Sequence, residues 1–237
     1  WGARIVGGGG RGDGCAGVGR AYAGRGDDGR CSRNGFRMDP IAARSVGAIP
    51  VTAPEAHYTV DVDAMLSKVG DKTRITFVAK PNNPTGSYIS TDEMRRLRVG
   101  LPDDVLLVID SAYAEYVSRN DYSTGAELVE EFDNIVMTRT FSKIFGLAAL
   151  RLGWAYCPPA VADVLNRIRG PFNVTAAAPA AGIAALGAPE HTHQGRQHND
   201  SWLPWLTIEP APLDVPAPHT VRTSTLVPVP RTAPPLA

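Results

Sequence analysis

The sequence predicts an α/β fold built on a mostly parallel, doubly wound sheet. Two continuous apolar runs, 75–78 and 105–109, have the composition of strands that are covered on both faces, as in parallel sheets. Amphipathic stretches alternate with such runs across 75–186, which is typical of βα units. A carboxylate, Asp110, ends the second run, at the edge where α/β sheets place their ligands.

The same patterns predict the individual elements of the core. Strands are expected near 75–79, 105–110, 134–138 and 152–157, and helices over 61–69, 91–99, 125–131, 160–169 and 176–186. Thr91 and Pro159 are typical of the first turn of a helix, which places two of the helix starts.

The two ends of the chain differ in composition from its centre. The first 30 residues contain 12 glycines, and the last 30, from Ile208, contain eight prolines. We expect neither stretch to bury enough apolar surface to offset its chain entropy, and both to pack poorly. The predicted parts are a glycine-rich start (1–35), a core (36–187), a connecting segment (188–207) and a proline-rich, disordered tail (208–237). Because the chain begins with Trp1, it is expected to be a fragment.

Composition argues against several classes of function. The formal net charge is zero without long basic runs, so neither a nucleic-acid nor a membrane partner is expected. The three cysteines have no C-x-x-C spacing, which argues against disulfide scaffolds and metal sites and favours a reducing cytoplasm. No apolar run reaches membrane-spanning length, and the start lacks the layout of a signal peptide.

The run TRTFSKIFGLAALRLGW (138–154) is the strongest chemical signal. Lys143 follows the apolar segment 135–137, and a lysine at the end of a buried strand is suited to Schiff-base chemistry. Arg151, together with the hydroxyls of Thr140 and Ser142, can hold a phosphate dianion. A lysine beside a phosphate clamp is what pyridoxal 5'-phosphate (PLP) requires. The run alone is equally compatible with a surface lysine in a loop.

Two upstream segments add to this signal. In PNNPTG (81–86), Asn83 can donate its amide to a phenolate-type oxygen, and the Asn83–Pro84 bond can be cis. Asp110, followed three residues later by Tyr113, can pair with a pyridine nitrogen and keep the ring an electron sink. Taken singly, Asp110 also fits a helix cap and Tyr113 a packing aromatic.

Together these segments resemble the fold-type I, PLP-dependent aminotransferases of class I and II, and within them the histidinol-phosphate aminotransferase family. The resemblance rests on PNNPTG (81–86), DSAYAEYV (110–117), RTFSKIFGLAALRLGW (139–154) and RIRGPFNV (167–174), in the family's order and spacing. It implies the family's large PLP-binding domain, with 36–187 as its core, 1–35 as its degraded start and 188–207 as a partial match. The small C-terminal domain would be largely missing, because the resemblance stops after Thr207.

The resemblance also implies roles for particular residues. Lys143 would be the catalytic Schiff-base lysine and would move the substrate proton. Asp110 would pair with the pyridine nitrogen, while Asn83 and Tyr113 would bind the cofactor's phenolic oxygen. The family usually reads Asp-Glu-Ala-Tyr here, and Ser111 replaces the acid; we expect cofactor binding to survive this change.

The remaining implied contacts hold the rest of the cofactor. Thr140, Ser142 and Arg151 would bind its phosphate, and Phe36 would stack on its ring. The start ARIVGGGGRGDG is similar to the family's glycine-rich phosphate turn. Arg11 and Gly12, however, stand where a small hydroxyl residue and an acid are expected, so the match is degraded.

The resemblance predicts transfer of an amino group between histidinol phosphate and 2-oxoglutarate in histidine biosynthesis, yielding imidazole-acetol phosphate and glutamate. The enzyme would be a cytoplasmic homodimer. Aromatic aminotransferases and relatives of threonine-phosphate decarboxylase would share every residue named above.

Two interpretations other than an active aminotransferase are also compatible with the sequence. The family binds the substrate carboxylate with an arginine of its small domain, which has no counterpart here, so the chain could be a non-catalytic remnant. A glycine-loop nucleotide-binding module rests only on GGGGRGDG, which lacks the Gly-Lys-Ser/Thr ending of a P-loop.

Overall fold

The computed structural model describes residues 4–9 and 11–208. The strands within this part are β1 (Arg4–Gly8), β2 (Asp28–Ser32), β3 (Ile49–Ala53), β4 (Glu55–Ala56), β5 (Thr59–Val60), β6 (Thr73–Ala79), β7 (Leu106–Asp110), β8 (Ile135–Thr140) and β9 (Gly153–Cys157). The helices are α1 (Arg11–Tyr22), α2 (Met38–Ser45), α3 (Val62–Leu66), α4 (Thr91–Gly100), α5 (Ala126–Glu131), α6 (Pro159–Ile168), α7 (Ala177–Leu186) and α8 (Pro189–Ile208).

Seven of these strands form one sheet in the order β1-β9-β8-β7-β6-β2-β3. The neighbours from β3 through β2, β6 and β7 to β8 all run parallel. Strand β9 runs antiparallel to β8, and β1 antiparallel to β9. The sheet is therefore mostly parallel, as the sequence predicted, and β4 and β5 form a separate small hairpin.

Helices cover both faces of the sheet, because successive residues of each strand point to opposite sides. On one face, Leu107 and Ile109 of β7 pack in a cluster with residues of α3, α4 and α5. On the other face, Leu106 and Val108 pack in a cluster with residues of α1 and α6. This arrangement confirms the doubly wound α/β architecture.

The predicted core elements are present with small shifts at their ends. Helix α4 begins at Thr91, where the Ser90 hydroxyl accepts a hydrogen bond from the Glu93 amide at 3.2 Å, and α6 begins at Pro159. The helix expected over 61–69 is shorter, since α3 ends at Leu66.

The expectation that the glycine-rich first 30 residues pack poorly is wrong. Strand β1 pairs with β9 from Arg4–Cys157 to Gly8–Gly153, and backbone pairing needs no large side chains. Helix α1 buries Cys15 and Val18 completely. The proline-rich tail expected after Ile208 lies outside the described residues.

Neither a membrane-spanning helix nor a metal-binding cluster is found in the described part of the chain. No helix there is long and apolar enough to cross a membrane. No group of three or more His, Cys, Asp or Glu side chains in that part is arranged to hold a metal ion.

Candidate functional site

The candidate site lies where the central parallel strands end side by side. Ala79 at the end of β6 is paired with Asp110 at the end of β7, which is paired in turn with Thr138 of β8. The segments that leave these strand ends carry Asn83, Tyr113 and the 140–143 run. The sheet therefore brings to one edge three motifs that are far apart in the sequence, as expected for an open α/β sheet.

A cleft of about 290 Å³ opens at this edge. Its walls are formed by Phe36, Met38, Asn83, Tyr113, Thr140, Ser142, Lys143 and Arg151. Seven of these eight residues were singled out in the sequence. The exception is Met38, the first residue of α2. Its only signal in the sequence was that it follows Phe36 by two residues. A methionine is more often part of an apolar core than of a binding site.

One end of the cleft carries an amide, a phenol and an amine. The Asn83 side-chain amide donates a hydrogen bond to the Tyr113 hydroxyl at 2.7 Å, and the Asn83–Pro84 bond is cis. The Lys143 Nζ lies 5.1 Å from the centroid of the Tyr113 ring. Two groups able to bind a phenolic oxygen thus lie next to a primary amine that reaches the same space.

The other end carries a guanidinium and two hydroxyls. Arg151 Nη1 lies 3.4 Å from the Ser142 hydroxyl and donates to the Ala148 carbonyl at 2.7 Å. The Thr140 hydroxyl accepts a hydrogen bond from the Ser142 amide at 3.1 Å. Arg151 adopts a left-handed backbone conformation (φ 52°), which turns the chain back at the end of a short 3₁₀ turn, 148–150. These donors suit a dianion.

Asp110 lies behind the cleft rather than in its wall. Asp110 is only 2 % exposed, and its Oδ1 accepts a hydrogen bond from the Ala112 amide at 3.2 Å. Ser111, which replaces the family's acid, is fully buried and donates its hydroxyl to the Thr124 carbonyl at 2.8 Å. The serine therefore makes a structural contact of its own, and its neighbour Asp110 keeps its place at the strand end.

The donor set of the site fits PLP. It offers a primary amine for the aldehyde carbon, an amide and a phenol for the phenolic oxygen, and a guanidinium with hydroxyls for the phosphate. A buried carboxylate suits the ring nitrogen, and Phe36 supplies an aromatic face. Each functional group of the cofactor has a chemically matching side chain in or behind this cleft.

Comparison with known proteins decides the family. Residues 4–201 match the family model of class I and II aminotransferases. The chain belongs to this family.

Among the curated relatives of this chain, the histidinol-phosphate aminotransferase of Rhodospirillum centenum is 61% identical over 181 residues, 76% of this chain and 50% of the relative. That of Paramagnetospirillum magneticum is 54% identical over 214 residues, 90% of this chain and 59% of the relative. The solved structure of histidinol-phosphate aminotransferase from Sinorhizobium meliloti in complex with PLP has 26% identity and a TM-score of 0.81. It covers 87% of this chain and 57% of that one. The chain thus spans between half and three fifths of the length of these relatives.

A second lysine, Lys80, lies at the end of the central strand β6. Lys80 directly follows β6, is fully buried, and its Nζ has no hydrogen-bond partner among the described residues. The amine lies 5.1 Å from the Tyr122 ring centroid. Burial lowers the pKa of the Lys80 ammonium from 10.5 to about 8, although the negative charges of Glu127 and Asp121 act in the opposite direction.

We expect Lys80→Met to stabilise the fold at neutral pH by roughly 1–3 kcal/mol, because it removes a buried ammonium that has no hydrogen-bond partner among the described residues. Between pH 8 and 10.5 the unfolded chain holds a proton that folded Lys80 has lost, so this lysine's contribution to stability rises with pH. The advantage of the methionine variant should therefore be largest below pH 8 and shrink towards pH 10.5. Urea unfolding of both proteins across this range measures it.

The exposed Lys72→Met serves as the matched control, since it removes a lysine of ordinary environment. A constant difference between Lys80→Met and the unchanged protein from pH 7 to 10.5 would contradict this explanation.

Proposed function

We propose that this chain carries the cofactor-binding part of a PLP-dependent transaminase that acts in histidine biosynthesis, a branch of amino-acid biosynthesis. The enzyme would exchange an amino group between histidinol phosphate and 2-oxoglutarate, with imidazole-acetol phosphate and glutamate as the products. The supporting observation is that Lys143, the Asn83–Tyr113 pair and the Arg151–Ser142 pair line one cleft. The names of the two bacterial relatives support the choice of substrate.

When bound, PLP supplies a ring that withdraws electrons from the substrate's Cα and so makes its proton removable. Each side chain then has a limited task. Lys143 would hold the cofactor through its amine and would move the substrate proton, since this amine lies in the cleft beside Tyr113. Asp110, buried behind the cleft, keeps a proton on the ring nitrogen. Asn83 and Tyr113 orient the ring through its phenolic oxygen.

The side chains at the phosphate end of the cleft contribute to the affinity for the cofactor more than to the proton transfer. Arg151 offers the only guanidinium among the residues that form the described cleft, and Ser142 and Thr140 add hydroxyl donors. Phe36, just before α2, and Met38, the first residue of α2, line the same space and supply apolar surface on one side of it. These side chains bind and align the cofactor before any proton moves.

Arg151→Met should raise the Kd for PLP about 10- to 100-fold, because charge-assisted hydrogen bonds to a phosphate are lost. Affinity for pyridoxal, which has no phosphate, should change little. Absorbance titrations with both compounds measure this. Arg167→Met, which removes an exposed arginine paired with Asp163 on α6, is the control. An equal loss for PLP and pyridoxal would mean that Arg151 shapes the cleft without binding phosphate.

The substrate is tested by single-turnover reactions of the PLP-loaded chain. Histidinol phosphate should convert the cofactor to its pyridoxamine form faster than phenylalanine does, and threonine phosphate should release no carbon dioxide. Faster conversion by phenylalanine would favour an aromatic aminotransferase, and carbon dioxide release would favour a decarboxylase.

A weakened or non-catalytic form is the second candidate. Residues 208–237 carry eight prolines and no apolar periodicity, so they are not expected to supply a small domain with a carboxylate-binding arginine. A chain that lacks such a contact would position the substrate poorly. We expect glutamate to convert the PLP-loaded chain far more slowly than the ~10 s⁻¹ of an ordinary enzyme. Conversion at that ordinary rate would show that another arginine, such as Arg222 or Arg231, binds the carboxylate.

We further propose a homodimer in the cytoplasm, with neither nucleic acid nor membrane as a partner. Support for self-association comes from large apolar side chains that are exposed on and before α7, namely Phe172, Ile183 and Leu186. Support for a reducing compartment comes from Cys15, Cys31 and Cys157, which are buried and form no disulfide among the described residues.

A further inference from the structure

An ion pair joins two of the segments that form the candidate cofactor cleft. Glu115 lies in the 3₁₀ turn Ala114–Tyr116, which directly follows Tyr113, and its carboxylate binds the guanidinium of Arg139 near the end of β8. The side chains of Arg139 and Glu115 are only 16 % and 15 % exposed. Neither residue lines the cleft itself. The pair therefore acts on the cleft only through the residues that do line it.

Further contacts fix both partners of this pair. Arg139 Cζ lies 5.6 Å from the ring centroid of Trp154, its paired residue on β9. A guanidinium that rests on an aromatic face and binds a carboxylate is oriented by two partners at once. The Glu115 carbonyl accepts a hydrogen bond from Arg196 Nε of α8 at 2.8 Å. The pair thus links β8 and β9 to the turn after Tyr113, and α8 supports that turn.

Stability alone does not explain the pair. The second carboxylate oxygen of Glu115, Oε2, is buried and has no hydrogen-bond partner among the described residues. Taking a carboxylate out of water is costly, and a partly satisfied one recovers only part of that cost. Replacing a buried ion pair by apolar residues of similar volume is often neutral or stabilising. What the ion pair adds is a defined direction between two segments, because charge-assisted hydrogen bonds are short and directional.

The two linked segments carry groups whose spacing matters in the cleft. Tyr113 accepts a hydrogen bond from Asn83 at 2.7 Å, and the Lys143 Nζ lies 5.1 Å from the centroid of the Tyr113 ring. We propose that Glu115 and Arg139 are positioning residues that set the place of the Tyr113 hydroxyl relative to the Lys143 amine. This inference rests on the proposed function, since the spacing matters for a cofactor that contacts both groups.

The place of Tyr113 can be measured through the Lys143 nitrogen once PLP is attached to it. The cofactor's phenolic oxygen shares the proton of this nitrogen, and a hydrogen bond from Tyr113 to that oxygen competes with the sharing. When Tyr113 is displaced, it competes less, so the nitrogen keeps its proton to a higher pH. A hydrogen bond to a charged group corresponds to about one to two pH units. Partial loss should therefore raise the midpoint of the visible pH titration by about 0.5–1 unit.

Arg139→Met and Glu115→Met each break the link, and both should raise this midpoint by about 0.5–1 pH unit. The sign separates positioning from a simple charge effect. Loss of the Arg139 charge alone would raise the midpoint, whereas loss of the Glu115 charge alone would lower it. Arg139→Lys keeps the charge pair and should shift the midpoint less than Arg139→Met does.

The double variant Glu115→Met/Arg139→Met leaves neither member of the pair as an unpaired buried charge, so it carries the comparison if a single variant does not fold. Its shift should equal the larger of the two single shifts rather than their sum, because both substitutions break the same link.

Arg30→Met is the matched control. Arg30 is a buried arginine that is ion-paired with Asp28. Its guanidinium also donates to the hydroxyl of Thr73, the first residue of β6, at the end of the sheet opposite to the cleft. This variant should lose stability in urea and leave the midpoint of the pH titration unchanged.

The outcomes separate this inference from the proposed function. If PLP gives no visible band with the unchanged protein, the proposed function fails and the inference fails with it. If the band forms but titrates at the same pH in the unchanged protein and in the double variant, the positioning role alone is refuted. Shifts of opposite sign in the two single variants, or an equal shift in Arg30→Met, would also overturn that role.

Discussion

Lys143→Ala is expected to abolish covalent attachment of PLP to this chain. The Lys143 amine is the only lysine nitrogen in the described cleft, and its neighbours Tyr113 and Arg151 hold the positions that the ring and the phosphate would require. Without the amine, the visible absorption band of the bound cofactor should disappear. Weak binding should remain, because the contacts to the phosphate and the phenolic oxygen are unchanged. Absorbance spectra and equilibrium dialysis separate the two effects.

Lys68→Ala is the matched control for this experiment. Lys68 is exposed after α3 and does not line the cleft, so its loss should leave the absorption band intact. A band of unchanged intensity in Lys143→Ala would show that another amine carries the cofactor.

Asp110→Asn is expected to retain PLP and to slow amino transfer by about 100-fold or more. The asparagine has nearly the same shape, so the end of β7 and the hydrogen bond from the Ala112 amide should persist. A neutral amide, however, cannot hold a proton on the ring nitrogen, and the negative charge that develops at Cα is then less well stabilised. Single-turnover rates with glutamate measure the loss, and PLP titration shows that binding is kept.

The exposed Asp103→Asn, next to β7 but at its opposite end, is the control. If this chain reacts too slowly for the rates of Asp110→Asn and the unchanged protein to be compared, the same substitution is made in a full-length relative that has the same aspartate. Unchanged turnover in Asp110→Asn would make this aspartate a purely structural residue.

The central strands could be predicted because their apolar runs are continuous. The runs at 75–78 and 105–109 lie in β6 and β7. These strands end side by side, so Asn83, in the segment after β6, and Asp110, the last residue of β7, lie at one edge of the sheet. A parallel sheet covered on both faces leaves this signature in the sequence because every strand residue is buried. The site residues followed from motifs attached to these strand ends.

Other elements left no comparable signal. Strand β2 contains Gly29 and Arg30, and Arg30 is buried because its guanidinium donates to the Thr73 hydroxyl at 2.9 Å. That partner lies on another strand and is not visible in a local window. Strand β1 and helix α1 are likewise held by pairing and packing with distant strands, which composition alone could not indicate. Tertiary context overrides local propensity in these segments.

Helix α8 shows the same effect close to the site. Arg196 donates to the Glu115 carbonyl at 2.8 Å, and Glu115 is ion-paired with Arg139, next to Thr140. The connecting segment 188–207 was recognised by resemblance, but its polar sequence gave no helical period. Its helix is held by contacts with the segment that follows Tyr113 rather than by an apolar stripe of its own.

Reductive trapping of PLP on the protein identifies the lysine that carries the cofactor. The chain contains only four lysines, Lys68, Lys72, Lys80 and Lys143. The protein is loaded with PLP at one equivalent, reduced with borohydride, digested, and mapped by mass spectrometry. We expect the pyridoxyl label on the peptide that contains Lys143, with Lys80 unlabelled because its side chain is fully buried and does not line the cleft. Label distributed over the exposed Lys68 and Lys72, or found mainly on Lys80, would contradict the assignment of this cleft as the PLP site.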